Sequence, residues 1–158
     1  MRDGENILFD KFLAGSYKAV TTSFECKQEI MAEWIDKEIT GTIIGCSMRV
    51  HSELGNGFQE VIYQRALEIE FTEARLVFAR EMSMPVYYKN KQIGERRVDF
   101  FVEEKIMVEL KAVINLENVH FAQVRNYLEA YNMQTGLLIN FGAISLQFRR
   151  LKNPKYRL

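Results

Sequence analysis

An α/β fold, a central mixed β-sheet flanked by helices, follows from three features of the sequence. Two consecutive stretches between residues 28 and 75 place apolar residues three and four apart, the period of helices lying on a core. Between residues 76 and 113 the chain changes to short alternating runs, the period of strands. A further helical stretch at 120–131 is followed by the apolar run 137–141 (LLINF), as expected of a strand covered on both faces. Packing helices on a sheet is the simplest way to bury both kinds of apolar face.

Residues 1–30 scatter Phe, Leu and Tyr without a sustained period. They are expected to be an N-terminal extension, weakly structured or with a short docking helix near 7–13, ahead of a domain spanning 31–158. The first long helix is expected at 28–54, where Ile39, Ile43, Ile44, Met48 and Val50 recur at helical spacing. Gly55-Asn56-Gly57 ends it. A second helix, 58–75, aligns Glu60, Tyr63, Leu67, Phe71 and Ala74 on one stripe and Gln64, Arg65, Glu68, Thr72 and Arg75 on another. Glu60 therefore heads an apolar stripe, although a first-turn glutamate also complements a helix dipole. Strand segments follow at 76–80 and 84–88, separated near Ser83, then at 92–102 and 106–113. In the helix at 120–131 the inward stripe holds His120, Gln123, Val124, Tyr127 and Tyr131. Thr135-Gly136 breaks that helix, and 144–151 alternates as a last, more exposed strand.

Charge is out of place in the stretch 97–112, RVDFFVEEKIMVELKA. Glu109 and Lys111 are two residues apart on a strand, so they project to one side while Val108 and Leu110 face the other. A charge on a covered sheet face costs several kcal/mol unless it is paired or binds a metal. Asp99 joins this face only if the connection between the two strands has odd length. A two-residue turn at Glu103-Glu104 would set Asp99 against Val108, whereas a three-residue turn through Lys105 pairs it with Glu109. The odd-length turn is the expectation. Two acids and a lysine together are what a divalent-metal site for phosphodiester hydrolysis requires.

Composition narrows the alternatives. The 158 residues suit one domain, and 47% hydrophobic with 27% charged residues excludes a largely disordered chain. Lys plus Arg equal Asp plus Glu at 21 each, so any affinity for nucleic acid must come from local patches. Cys26 and Cys46 lack zinc or redox spacing, and His51 and His120 alone give little material for a zinc or Ser-His centre. No apolar run nears the ~20 residues of a membrane span and no secretory pattern opens the chain, so a cytoplasmic location is expected, with no membrane partner.

The segment LGNGFQEVIYQRAL contains Gly57-x-x-Glu60-x-x-Tyr63 and resembles the signature of the GxxExxY family, within the PD-(D/E)xK nuclease-like superfamily. Asp99, Glu109-Leu110-Lys111, Gln123 with Tyr127, and GLLINFG at 136–142 follow in the same order, over about 31–150. Val98 stands where a proline would precede the acid. The resemblance implies a restriction-endonuclease-like core, α-β-β-β-α-β, and a hydrolase that cuts nucleic acid with Mg²⁺ or Mn²⁺. Asp99 and Glu109 would bind the metal with the Leu110 carbonyl, Lys111 would assist the attacking water, Glu60 would bind or position metal, and Gln123 would orient Lys111 or the water. Arg96, Arg97, Lys89, Lys91, Arg149 and Arg150 are the cations expected to reach phosphates. DNA comes before RNA as the expected substrate, and a homodimer would supply two sites for two strands. The plainer alternatives are a regulatory or nucleic-acid-binding module that keeps the fold without cutting, or a small-molecule phosphoesterase. In the first, Asp99 pairs with Arg96 or Arg97, and Glu109 with Lys111 as an ordinary ion pair.

Overall fold

The computed structural model describes residue 31 and residues 36–157, so the extension expected at 1–30 lies outside the described residues. The chain divides into two compact units, Met1–Lys37 and Glu38–Leu158, and everything that follows concerns the second. Its elements are α1 (residues 38–54), α2 (Glu60–Glu73), β1 (Phe78–Tyr88), β2 (Lys91–Val102), β3 (Ile106–Lys111), α3 (Asn118–Ala130), β4 (Thr135–Asn140) and β5 (Gln147–Lys152).

The five strands form one sheet in the order β1-β2-β3-β4-β5. Only β3 and β4 run parallel, joined through α3; the other neighbours are antiparallel. One face packs Ile43, Val50, Tyr63, Leu67 and Phe71 of α1 and α2 against Phe100, Val108, Leu110, Leu137, Ile139 and Phe141. The other packs Val124, Tyr127 and Leu128 of α3 against Val98, Met107, Leu138 and Leu151. Each large side chain buried in this way stabilises the fold by about 1.5–3 kcal/mol. β4 is buried along its whole length, which accounts for its run of Leu137, Leu138 and Ile139.

The strand expected in two pieces around Ser83 is continuous from Phe78 to Tyr88. Pro85 is tolerated because β1 is an edge strand, where a missing N–H leaves no ladder bond unmade. The register shift falls instead between Val86 and Tyr87, while Glu81 adopts φ +51 between the pairs Arg80↔Phe100 and Met82↔Val98 without changing the register. β1 and β2 extend together well past the end of β3, forming an exposed two-stranded arm.

Two local features set the site. β2 and β3 pair Phe100↔Val108, Phe101↔Met107 and Val102↔Ile106, so the turn is the three residues Glu103, Glu104 and Lys105. Glu103 and Glu104 take φ +52 and +53, and Lys105 N–H donates to the Val102 carbonyl at 3.0 Å. Between α1 and α2, Gly55 (φ +67) and Gly57 (φ +105) turn the chain. A Cβ at either would meet nothing within 4 Å, so backbone conformation, not space, favours glycine.

Candidate functional site

β3 carries two charged side chains, Glu109 and Lys111, placed by its alternation. Ile106, Val108 and Leu110 enter the α1/α2 core while Met107 enters the α3 core, so Glu109 and Lys111 lie on the α3 side of a strand buried almost throughout. Glu109 is only 4% exposed. Its Oε1 accepts Lys111 Nζ at 2.8 Å and Gln123 Nε2 at 2.7 Å, and the same Gln123 amide donates to the Tyr127 hydroxyl at 3.0 Å. Its Oε2 is buried without a hydrogen-bond partner. A bare carboxylate oxygen in a native interior calls for a missing ligand.

Asp99 ends the β2–β3 pairing. Its Oδ2 accepts the Leu110 backbone N–H at 2.7 Å, and its Oδ1 accepts Gln64 Nε2 at 3.1 Å. The carboxylate is therefore held by an amide and the main chain, not by Arg96 or Arg97. Glu60, in the first turn of α2, is half-buried and feels the charges of both Lys111 and Asp99. The structure thus brings Glu109, Lys111 and Gln123 into direct contact, while Asp99 and Glu60 reach them through their charges.

The charges are mutually strained. Burial, then the Asp99 charge, push Glu109 up to about 7, against the pull of Lys111. Burial also raises Asp99, partly offset by the Leu110 N–H, and raises Glu60. Desolvation works against the Lys111 ammonium, but Glu109, Glu60 and Asp99 outweigh it and hold its proton more tightly than usual. Negative charge is in excess here, the condition under which a cation is welcome.

No group of three or more His, Cys, Asp or Glu among the described residues forms a ready cage for a metal ion. The donors present are Asp99, the free Oε2 of Glu109 and main-chain carbonyls. They are hard oxygens that suit Mg²⁺ or Mn²⁺, with water and substrate completing the coordination.

Sequence reasoning missed two residues. Gln64, on the second stripe of α2 and given no role there, is 6% exposed and bonds Asp99. It lies one turn beyond Glu60, and that i, i+4 spacing was the available signal. Asn140 is fully buried, and its Oδ1 accepts the N–H groups of Val113 and Gly142 at 3.0 Å each. It clasps the chain just past Lys111 to the end of β4. The remaining signature residues have structural work: the Tyr63 hydroxyl donates to the Gly55 carbonyl at 2.9 Å and accepts the Phe58 N–H at 3.2 Å, while its ring stacks on Phe141 at 4.6 Å. His120 accepts the Glu117 N–H in the capping box of α3.

The expected phosphate contacts divide between the two sheet edges. Lys89 and Lys91 flank the tip of the β1–β2 arm, and Arg96 and Arg97, as neighbours on β2, face opposite sides. Arg149 and Arg150 lie on β5 at the other edge, also on opposite faces, with Arg150 Nε donating to Thr40 Oγ1 at 2.9 Å.

A mixed sheet between helices, with Asp, Glu and Lys brought together where an antiparallel pair meets a parallel one, defines a restriction-endonuclease-like fold. The chain belongs to the PD-(D/E)XK nuclease superfamily, whose sequence model matches residues 37–151. No curated protein matches it. Among solved structures it is similar to the one described as the crystal structure of SSO0001, at 17% identity and a TM-score of 0.48 over 60% of this chain. That match spans half the length of SSO0001. No helix among the described residues is long and apolar enough to cross a membrane.

Proposed function

We propose that this protein is a metal-dependent nuclease of the GxxExxY type, hydrolysing phosphodiester bonds in nucleic acid, DNA before RNA. The observation that carries the reading is the buried, unpartnered Oε2 of Glu109 beside Asp99 and Lys111. Bound Mg²⁺ or Mn²⁺ supplies Lewis acidity and a water acidified toward neutral pH. Asp99 and Glu109 hold the ion, and Glu60 supports it from α2. Lys111 keeps its proton, so it orients the attacking water and offsets charge growing on the phosphate oxygens. Gln123 fixes the Glu109 carboxylate. Lys89, Lys91, Arg96, Arg97, Arg149 and Arg150 supply phosphate contacts, and a homodimer supplies a second site.

The test is cleavage of duplex, single-stranded and branched DNA and of RNA, with Mg²⁺, Mn²⁺ or chelator. Metal-dependent cleavage that falls at least about 10²-fold in both Glu109→Ala and Lys111→Ala supports the reading. Cleavage persisting in both refutes it. Metal-independent binding without any cutting assigns the fold to a non-catalytic module instead.

A further inference from the structure

The molecule has a groove that the chemistry above leaves unused. One wall is a single face of α3, from Val119 through Gln123 and Asn126 to Tyr131; the other is the β1–β2 arm, through Val86 and Arg96. Its volume is about 410 Å³. At one end Gln123 lines the groove and its amide donates to Glu109 Oε1, so one side chain separates the groove from the candidate metal site. Toward the other end the Tyr131 hydroxyl donates to the Pro85 carbonyl at 2.6 Å and ties helix to arm. Along α3 the distance from Gln123 to Tyr131 is about 12 Å.

We infer that this groove holds one unpaired nucleic-acid strand beside the scissile phosphate, with Arg96 on a phosphate and the Tyr131 ring against a base. The inference deepens the nuclease reading and rests on it. Single-strand sites combine a cation that follows the backbone with an aromatic face for a base. Here both requirements meet in one groove: Arg96 is exposed on its arm wall, about 10 Å along β2 from Asp99, and the Tyr131 ring is fixed by its own hydroxyl. The Asn126 amide adds a donor and an acceptor for a base edge. The volume falls within the range for small-molecule-sized ligands.

The test uses the full chain carrying Glu109→Ala, so that nothing is cut, and a fluorescein-labelled oligothymidylate beside a blunt duplex of the same length. Arg96→Gln is expected to weaken single-strand binding about 5- to 10-fold and to flatten its log-log salt dependence by about 0.7. Ala130→Trp, made at an exposed position lining the groove, is expected to weaken it at least as much while far-UV circular dichroism and the unfolding midpoint stay unchanged. Duplex binding is expected to change less than twofold. Single-strand affinity unchanged in both variants, equal loss for duplex, or no oligothymidylate binding by the parent would each overturn the inference. If cleavage requires Glu109 but binding ignores Arg96 and Ala130, the groove alone fails. If binding depends on Arg96 and the wild type never cuts, the nuclease reading alone fails.

Discussion

β3 presents two unlike surfaces to its two neighbouring layers. Toward α1 and α2 it offers Ile106, Val108 and Leu110, which vanish into hydrocarbon; toward α3 it offers Met107, Glu109 and Lys111, and the layer above answers with Gln123 and Tyr127 as well as Val124. The first surface supplies stability and tolerates no polar group. The second gives some of that stability up, since a carboxylate held near neutrality by burial is a cost the folded state carries. The contrast shows where selection for folding and capacity for chemistry separate within six residues.

The contrast breaks first on its apolar side. Leu110→Ala is expected to cost about 3 kcal/mol in urea denaturation, because fully buried leucine leaves both lost transfer energy and a cavity. A loss below about 1 kcal/mol would mean that the α1/α2 layer collapses onto the gap. On the polar side the effect depends on pH. Glu109 is raised from 4.5 to about 7, so its proton stabilises the native state fully below about pH 4.5, and that contribution disappears as pH climbs through 7. The metal-free protein should therefore lose up to roughly 3 kcal/mol between pH 4.5 and 8, and Glu109→Gln should flatten most of that slope. Asp99 and Glu60 are raised too and act in the same direction; Lys111, raised above 10.5, keeps its contribution across this range and loses it only as pH climbs beyond 10.5. A slope that survives Glu109→Gln would assign the titration elsewhere.

Smaller effects sharpen the same picture. Gln64→Leu removes the donor to Asp99 Oδ1 and should weaken Mn²⁺ binding about tenfold in isothermal titration, with little change in unfolding. Equal Mn²⁺ affinity would leave Gln64 as mere packing. At the bottom of the scale, Lys155→Ala breaks an exposed ion pair with Glu129 and should shift stability by less than about 0.5 kcal/mol.

Much of this was legible before any coordinates. Glu109 and Lys111 declared themselves because a two-residue period places them together in an otherwise apolar strand, and LLINF announced β4 because only Asn140 interrupts its apolar side chains. The odd-length connection to Asp99 followed from the same arithmetic and is what β2 and β3 adopt. Gln64 was hidden because the large apolar residues Tyr63, Leu67 and Phe71 define one stripe and Gln64 falls on a different one, among Arg65, Glu68 and Arg75. Its burial is a tertiary fact, since it exists only once α2 lies over Asp99. β1 was misjudged for a related reason: Ser83 looks like punctuation, yet an edge strand accepts it, and the register shift falls between Val86 and Tyr87, whose identities advertise nothing. The split of the basic residues between two edges depends on strand order, which composition does not encode.

The acidic turn at Glu103, Glu104 and Lys105 is bonded locally, through Lys105 N–H and through the Glu103 carboxylate to the Val77 N–H, and it looks like surface that could be trimmed. Its identity is indeed replaceable, but its parity is not. Deleting one residue, or inserting one, would turn either Asp99 or the Glu109–Lys111 pair to the wrong side of the sheet, disabling the centre while leaving composition, charge balance and nearly all of the core untouched. A loop far from the acids in space thereby behaves as a counting device, tolerant of substitution and intolerant of length.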